Sequence, residues 1–193
     1  RGVILFKKIL GIMIILLIMS ACTSNSKIDI GELEVEQEDI NTIYKPVDKK
    51  TAEQVLPYEM KFPSYFPFEH EETKVTLVGW EQSKDLIVAT IQYPSIEQEE
   101  KWIEGSFTQP AIPVVTYSVA NFDRYYSSYA DMTEFNEIKI SNDVTGLFRV
   151  IREMNGAEMY WFDGEKEYSL QLMYFSDDPD ELKEELIIIA NSI

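Results

Sequence analysis

The amino-acid sequence predicts an α+β fold, in which an antiparallel sheet carries a C-terminal helix packed on one face. Two turn signals, Asn155-Gly156 and Asp163-Gly164, lie between runs of strand-forming residues and predict a three-stranded meander. An apolar stripe over the last segment predicts an amphipathic helix that can lie on this sheet. The 45% content of hydrophobic residues supports a globular domain even though the formal net charge is -17.

The N-terminal segment has the three parts of a secretory signal peptide. Arg1 and Lys7-Lys8 provide positive charge, the run Ile9–Met19 is apolar, and Ser20-Ala21 are small. A membrane-spanning helix needs about 20 apolar residues, and the two lysines separate this run from the apolar residues before it. We therefore expect residues 1–21 to be a signal peptide that directs export.

Cys22 is the only cysteine of the sequence and directly follows these small residues. The stretch Met19-Ser20-Ala21-Cys22 resembles the lipobox of bacterial lipoproteins, with Met19 in place of the usual leucine. The resemblance implies cleavage after Ala21 and acylation of Cys22, by diacylglycerol on its sulfur and a further chain such as palmitate. Two or more acyl chains anchor a protein stably, so the expected location is the outer face of the bacterial cytoplasmic membrane. The alternatives are a free thiol near a disordered terminus and a cysteine in an uncleaved apolar segment.

The acidic charge shapes the predicted domain organisation and partners. Residues 22–54 are polar and acidic and are predicted to be a flexible tether, or else a recognition segment that folds on a partner. Residues 55–193 are predicted to form a single α+β domain. An acidic surface repels phosphate groups, so no nucleic acid partner is expected.

Beyond the tether, residues 56–68 combine three prolines with five aromatic residues. Proline disfavours a regular helix, and the aromatic residues are expected to pack on an edge of the core; the alternative is a proline-rich ligand for a partner. A hairpin is predicted with its turn at 83–85, a short helix at 98–102, and no definite structure at 122–132. The strands are predicted at 74–82, 86–93, 114–119, 136–140, 147–154, 159–162 and 168–174.

The C-terminal helix has clear start signals. Asp178 is a candidate N-cap, Pro179 occupies the first helical position, and Glu181 stands where a capping box places its acid. The apolar stripe consists of Leu182, Leu186, Ile189, Ala190 and Ile193.

Two C-terminal stretches carry a family resemblance. Residues 161–170, led by Trp161, and residues 184–193, which end in Ile-Ala-Asn-Ser-Ile, resemble the end of an uncharacterised domain. That domain occurs in extracytoplasmic lipoproteins of Gram-positive bacteria and in the outer part of some anti-sigma-factor proteins. The resemblance implies an exported, non-enzymatic protein, and it supplies no catalytic residues.

The sequence offers no strong catalytic or metal pattern. His70 is the only histidine, while zinc sites use three or four ligands, and it is interpreted as part of a solvated charged turn. Residues 177–181 could hold calcium, but helix capping explains them more simply. Trp80, Trp102 and Trp161 could line a sugar cleft beside paired carboxylates, although core packing also accounts for them. No catalytic residue, metal or cofactor is therefore predicted.

Three functions remain open. The favoured one is a membrane-anchored binding or interaction module that recognises a protein, a wall component or a small ligand outside the membrane. A membrane or cell-wall protein is one such partner, and the sequence does not specify the ligand. The second is a regulatory or assembly factor of a membrane signalling system, suggested by the anti-sigma resemblance. The third is a hydrolase that uses paired carboxylates.

Overall fold

One antiparallel sheet organises the protein. The computed structural model describes residues 27–96 and 112–193, and in these ranges the chain forms nine strands and three α-helices. The strands are β1 (Val35–Glu38), β2 (Thr42–Tyr44), β3 (Val75–Gly79), β4 (Ile87–Pro94), β5 (Val114–Ala120), β6 (Asn136–Lys139), β7 (Thr145–Ile151), β8 (Gly156–Phe162) and β9 (Glu167–Met173). The helices are α1 (Lys49–Val55), α2 (Tyr126–Ala130) and α3 (Pro179–Asn191).

The strand order shows two meanders that meet in the middle of the sheet. The order is β1-β2-β3-β4-β5-β9-β8-β7-β6, and each of these neighbouring pairs is antiparallel. The chain leaves β5, reaches the far edge at β6, and returns strand by strand until β9 pairs with β5. The predicted α+β class and antiparallel sheet are thus confirmed in the described part of the chain.

One face of the sheet forms the main core. Residues directly opposite each other on paired strands share a face, and one such row runs through Ile91, Tyr117, Leu170, Met159 and Phe148. All five are buried. We call this side of the sheet the core face.

Three elements cover the core face. Helix α1 lies against β3, and α3 lies across β7, β8 and β9. Between them runs the segment 56–68, of which Leu56 and Met60 are buried and Phe62 packs against the core. The prediction that this segment packs on the core is confirmed.

Helix α3 has the predicted stripe and start. Leu182, Leu186 and Ile189 are almost completely buried, and the Asp178 side chain accepts a hydrogen bond from the backbone N–H of Asp180 (2.9 Å). The predicted capping box is wrong in detail, because Glu181 does not reach back to the N-cap backbone. Instead Ser176 Oγ accepts from the backbone N–H of Asp178 (3.1 Å) and donates to Glu181.

The first predicted turn also differs in detail. Only Asn155 adopts the left-handed conformation (φ 41°), and it closes a loop that follows a 3-10 turn over Arg152–Met154. Gly156 already belongs to β8, so the turn is not the two-residue type that the dipeptide suggests. Glycine is needed there for close approach, since a Cβ would lie 2.4 Å from the carbonyl oxygen of Leu172.

The predicted tether is wrong for the part that the structure describes. Within residues 27–54, β2 pairs with β3, and Tyr44 and Ala52 are buried in the main core. Of the acidic side chains that suggested a tether, Glu36 and Glu38 lie on β1, whose four residues are all exposed at the sheet edge, and Glu34 and Asp39 flank this strand. Charged residues on an edge strand oppose pairing with other chains, so the acidic pattern marks an edge, and the domain includes residues from 27 onward.

The remaining element predictions have mixed outcomes. The hairpin around residues 83–85 is confirmed as β3–β4, and the strand predicted at 114–119 is confirmed as β5. The segment 122–132, which was ambiguous, contains the short helix α2. The helix predicted at 98–102 lies outside the described residues.

The opposite side of the sheet, which we call the second face, is more polar. A row of partners there runs through Gln92, Thr116, Gln171, Glu158 and Arg149. Helix α2 lies against β7 and β8, where its tyrosines pack on a small second cluster. The rings of Tyr129 and Phe135 stack with centroids 4.7 Å apart.

Candidate functional site

A groove opens where the β8–β9 hairpin meets the last turn of α3. It encloses a cavity of about 690 Å³, a volume typical of small-ligand sites. Four separate parts of the chain contribute to it. The lining residues are Glu59, Lys61, Asp143, Val144, Thr145, Trp161, Phe162, Asp163, Lys166, Tyr168, Ala190 and Ile193. We call this feature the hairpin groove.

Two stacked rings form one wall of the hairpin groove. Trp161 on β8 lies directly opposite Tyr168 on β9, because the hairpin register pairs these residues. Their rings are nearly parallel (4°), with centroids 5.0 Å apart. Trp161 is 7% exposed, so the wall is held firmly by the core behind it.

Asp163 anchors the hairpin turn beside this wall. Its Oδ1 accepts from the backbone N–H groups of Glu165 (2.9 Å) and Lys166 (2.7 Å), and its Oδ2 accepts from the Tyr168 hydroxyl (3.0 Å). Partial burial acts to raise the pKa of Asp163, but these hydrogen bonds and the Lys166 charge bring it below its ordinary value of 3.8. Burial, followed by the bond to Asp163, raises the pKa of the Tyr168 hydroxyl. At neutral pH the groove therefore contains a carboxylate beside a neutral phenol.

Charged side chains of both signs surround the cavity. Glu59 and Lys61 come from the segment before β3, Asp143 from the β6–β7 turn, and Lys166 from the β8–β9 turn. Within residues 27–96 and 112–193, none of these four side chains forms a salt bridge with another described residue. The groove thus offers ionic groups, hydrogen-bonding groups and aromatic rings that a ligand can use.

Two buried carboxylates stabilise the second face, away from the groove. Glu158 is 3% exposed and accepts from Arg149 Nε (2.7 Å), the Tyr160 hydroxyl (3.0 Å) and Gln171 (3.2 Å). Both oxygens of Glu158 have hydrogen-bond partners on β7, β8 and β9. We therefore assign Glu158 a structural role, in a buried polar network that joins these strands.

Glu167 has a similar role at the start of α2. It is 1% exposed, and its Oε2 accepts from the backbone N–H groups of Arg124 (2.9 Å), Tyr125 (2.5 Å) and Tyr126 (2.8 Å). Arg124 also donates from Nε to Oε1 (3.3 Å). The carboxylate therefore orders the crossover from β5 to β6.

The residues that the sequence singled out lie in different places. Cys22 and Ala21, the predicted lipid-attachment and cleavage residues, lie outside the described residues, as does Trp102. Trp161 lines the hairpin groove, whereas Trp80 contacts Phe122 and Tyr125 elsewhere. The two tryptophans that the structure describes, Trp80 and Trp161, thus do not line a common cleft.

His70 is not a simple solvated turn residue. Its ring contacts those of Phe66 (4.3 Å between centroids) and Tyr93 (4.9 Å), and Nδ1 donates to the carbonyl oxygen of Glu71 (2.7 Å). The neighbouring glutamates suggested solvation, but the ring is half-buried against Phe66, four residues earlier, and Tyr93 on β4. No group of three or more side chains suited to a metal ion occurs within the described ranges.

Sequence reasoning missed Glu59, Lys61 and Asp143 as groove residues. They occur in stretches of charged and turn residues that look ordinary in isolation, and the hairpin that they face begins more than ten residues further along the chain. The Trp161 strand and the Asp163-Gly164 turn were the only local signals of this region.

Comparisons with known proteins give no match. No family model matches the chain, and no curated protein or solved structure is similar to it. In the described part of the chain, no helix has the length and apolar character needed to cross a membrane.

Proposed function

We propose that this protein is a lipid-anchored extracytoplasmic binding module that uses the hairpin groove as its ligand site. It is tethered through Cys22 to the outer face of the bacterial cytoplasmic membrane. Its partner is a protein, a wall component or a small ligand outside the membrane, part or all of which enters the groove.

The anchor is supported by the order of residues around Cys22. Positive charge, the apolar run Ile9–Met19, the small Ser20-Ala21 pair and Cys22 follow one another as in a lipoprotein signal. Acyl chains on Cys22 would insert into the bilayer, with each buried CH₂ contributing about 0.8 kcal/mol. The folded part would then be presented outside the cell.

The binding role is carried by one observation, the charged and aromatic lining of the hairpin groove. The groove has five charged side chains; hydrogen bonds engage Asp163, while the other four form no salt bridge within the described residues and remain available to a ligand. The Trp161–Tyr168 wall is held in place by the core. Preorganised rings and available charges lower the cost of ordering the site on binding.

Cys22→Ala tests the anchor. We expect the variant to leave the membrane fraction or to remain unprocessed, and to incorporate no labelled fatty acid, because it has no sulfur to acylate. Fractionation and fatty-acid labelling in cells measure both effects. Ser24→Ala is the matched control and should be labelled like the parent protein. Labelled fatty acid on the Cys22→Ala variant would refute the anchor.

The binding role is tested by crosslinking in cells, followed by mass spectrometry of what is captured. We expect a membrane or wall component to be captured by the parent protein and lost in the double variant Lys61→Glu with Lys166→Glu. Lys183→Glu, a charge reversal on the outer side of α3, is the control. Equal capture by all three proteins would show that the groove is not the binding site.

A further inference from the structure

We infer that the hairpin groove takes a short peptide that carries both a free α-ammonium group and a free α-carboxylate. This inference rests on the proposed function, because it names the ligand class of the same groove. It is carried by an aromatic wall that lies beside charged side chains of both signs, four of which form no salt bridge within the described residues.

The first step concerns the charges of the rim. Glu59, Lys61 and Asp143 are exposed, Lys166 is half-buried, and none of them forms a salt bridge within the described residues. With Asp163 the lining carries three acidic and two basic side chains, so a ligand with a single charge of either sign would be repelled by some of them. A zwitterion can place each of its charged groups near a side chain of opposite sign.

The second step concerns where the ammonium group would lie. The negative end of the α3 dipole lies at the groove, since Ala190 in the last turn of the helix and Ile193 just beyond it line the cavity. Asp163 adds a carboxylate that remains ionised at neutral pH. Aromatic ring faces also attract cations, so this side of the groove favours an ammonium group.

The third step concerns the carboxylate end. The protein has a formal net charge of -17, and its long-range field repels anions. Lys61 and Lys166 are the cationic side chains that line the cavity among the described residues. A zwitterionic ligand can place its carboxylate beside these lysines while its positive charge offsets the long-range repulsion, which favours it over a purely anionic polymer.

The fourth step concerns the volume of the cavity and the uncharged part of the ligand between its two termini. A cavity of about 690 Å³ accepts a peptide of a few residues, and its apolar lining includes Val144, Phe162 and the Trp161–Tyr168 wall. Apolar peptide side chains can pack against this surface. A neutral saccharide can also stack on aromatic rings, but it would leave the charged rim without partners.

Isothermal titration of the full chain in detergent with zwitterionic trialanine tests the inference. We expect saturable binding, weakened about tenfold or more by N-acetylation and by C-terminal amidation of the peptide, since each modification removes one charge. Lys61→Gln with Lys166→Gln should weaken binding of the parent peptide and abolish the penalty for amidation. Lys183→Gln should change neither value.

A parallel titration with the same peptide, followed by tryptophan fluorescence, locates the binding event. The change on peptide addition should persist in Trp80→Phe and be lost in Trp161→Phe, because only the latter removes the groove tryptophan. Equal binding of capped and uncapped peptides, or no peptide binding, would overturn the inference.

A neutral trimer of N-acetylglucosamine separates this failure from failure of the proposed function. If the trimer perturbs Trp161 and the peptide does not, the groove remains a ligand site and the peptide assignment is wrong. If neither probe perturbs Trp161, the peptide assignment is overturned. Crosslinking with the Lys61→Glu, Lys166→Glu variant then determines whether the groove is a binding site at all.

Discussion

Single buried carboxylates organise the loops around this sheet. Glu167 accepts hydrogen bonds from three consecutive backbone N–H groups at the start of α2, a short helix of five residues. Short isolated helices are unstable in water, so the position of α2 depends on this side chain and on the tyrosines that it carries. Local sequence gave no sign of this role, because Glu167 follows Glu165 and Lys166 in a stretch that looks exposed.

We expect Glu167→Gln to destabilise the protein by about 1–3 kcal/mol, because a neutral amide cannot replace a buried carboxylate with four donors. Denaturant unfolding measures the loss, and amide hydrogen exchange at residues 124–126 should become faster. Glu165→Gln, on the exposed side of the same hairpin, is the control. Unchanged exchange at these amides would contradict the assigned role.

Asp163 provides a pH-dependent contribution to stability. Its pKa in the folded protein lies below its ordinary value of 3.8, so its stabilising effect is present above that value and is lost as the pH falls through the folded pKa. Asp163→Asn should therefore lower the urea midpoint at about pH 7, and the difference from the parent should shrink below about pH 4. Asp131→Asn, on an exposed residue after α2, serves as control. A difference that stays constant over this range would contradict the assignment.

At the scale of the element, α3 shows which features of a helix the periodicity of apolar residues can predict. Its stripe of apolar residues identified both the helix and the face that it buries, because 3.6-residue periodicity is a local property. The start of the helix was also recognisable from Asp178 and Pro179. The hydrogen bonds of Ser176 to Asp178 and Glu181 were not recognisable, since they depend on how the loop before the helix folds back.

We expect Leu186→Asp to unfold the domain, through a buried and unpaired charge that costs several kcal/mol. Leu186 is completely buried, whereas Ile188 on the same helix is 45% exposed. Ile188→Asp should therefore melt close to the parent protein. Thermal melting followed by circular dichroism compares the two variants, and parent-like melting of Leu186→Asp would show that the stripe is not packed.

Strand β1 shows the limit of reasoning from composition. Its glutamates suggested an unfolded tether, yet the segment pairs with β2 at the edge of the sheet. Exposed edge strands and flexible acidic segments have similar compositions, because neither buries its side chains. Only the pairing partner distinguishes them.

At the scale of the whole molecule, the N-terminal strands complete the core. Ile30, Tyr44 and Ala52 are buried in the main core, and β2 covers the edge of β3. A chain that begins at residue 55 would therefore lack part of the core and expose an unpaired strand.

We expect a fragment of residues 55–193 to be strongly destabilised or unfolded, while a fragment of residues 27–193 should melt like the full chain. Thermal unfolding and one-dimensional proton NMR of the two fragments make this comparison. Parent-like melting of the shorter fragment would show that residues 27–54 pack on the domain without supporting it.

Local pattern and tertiary structure thus decided different properties of this protein. The sequence by itself determined the strands of the C-terminal meander and the buried face of α3, because each depends on residues close together in the chain. The anchor at Cys22 stays a prediction from the same kind of local pattern. Only the tertiary structure decided the strand order, in which β5 pairs with β9, and the assembly of the hairpin groove from four distant segments. Contacts between distant residues arise from the joint packing of all elements, and no local periodicity records them.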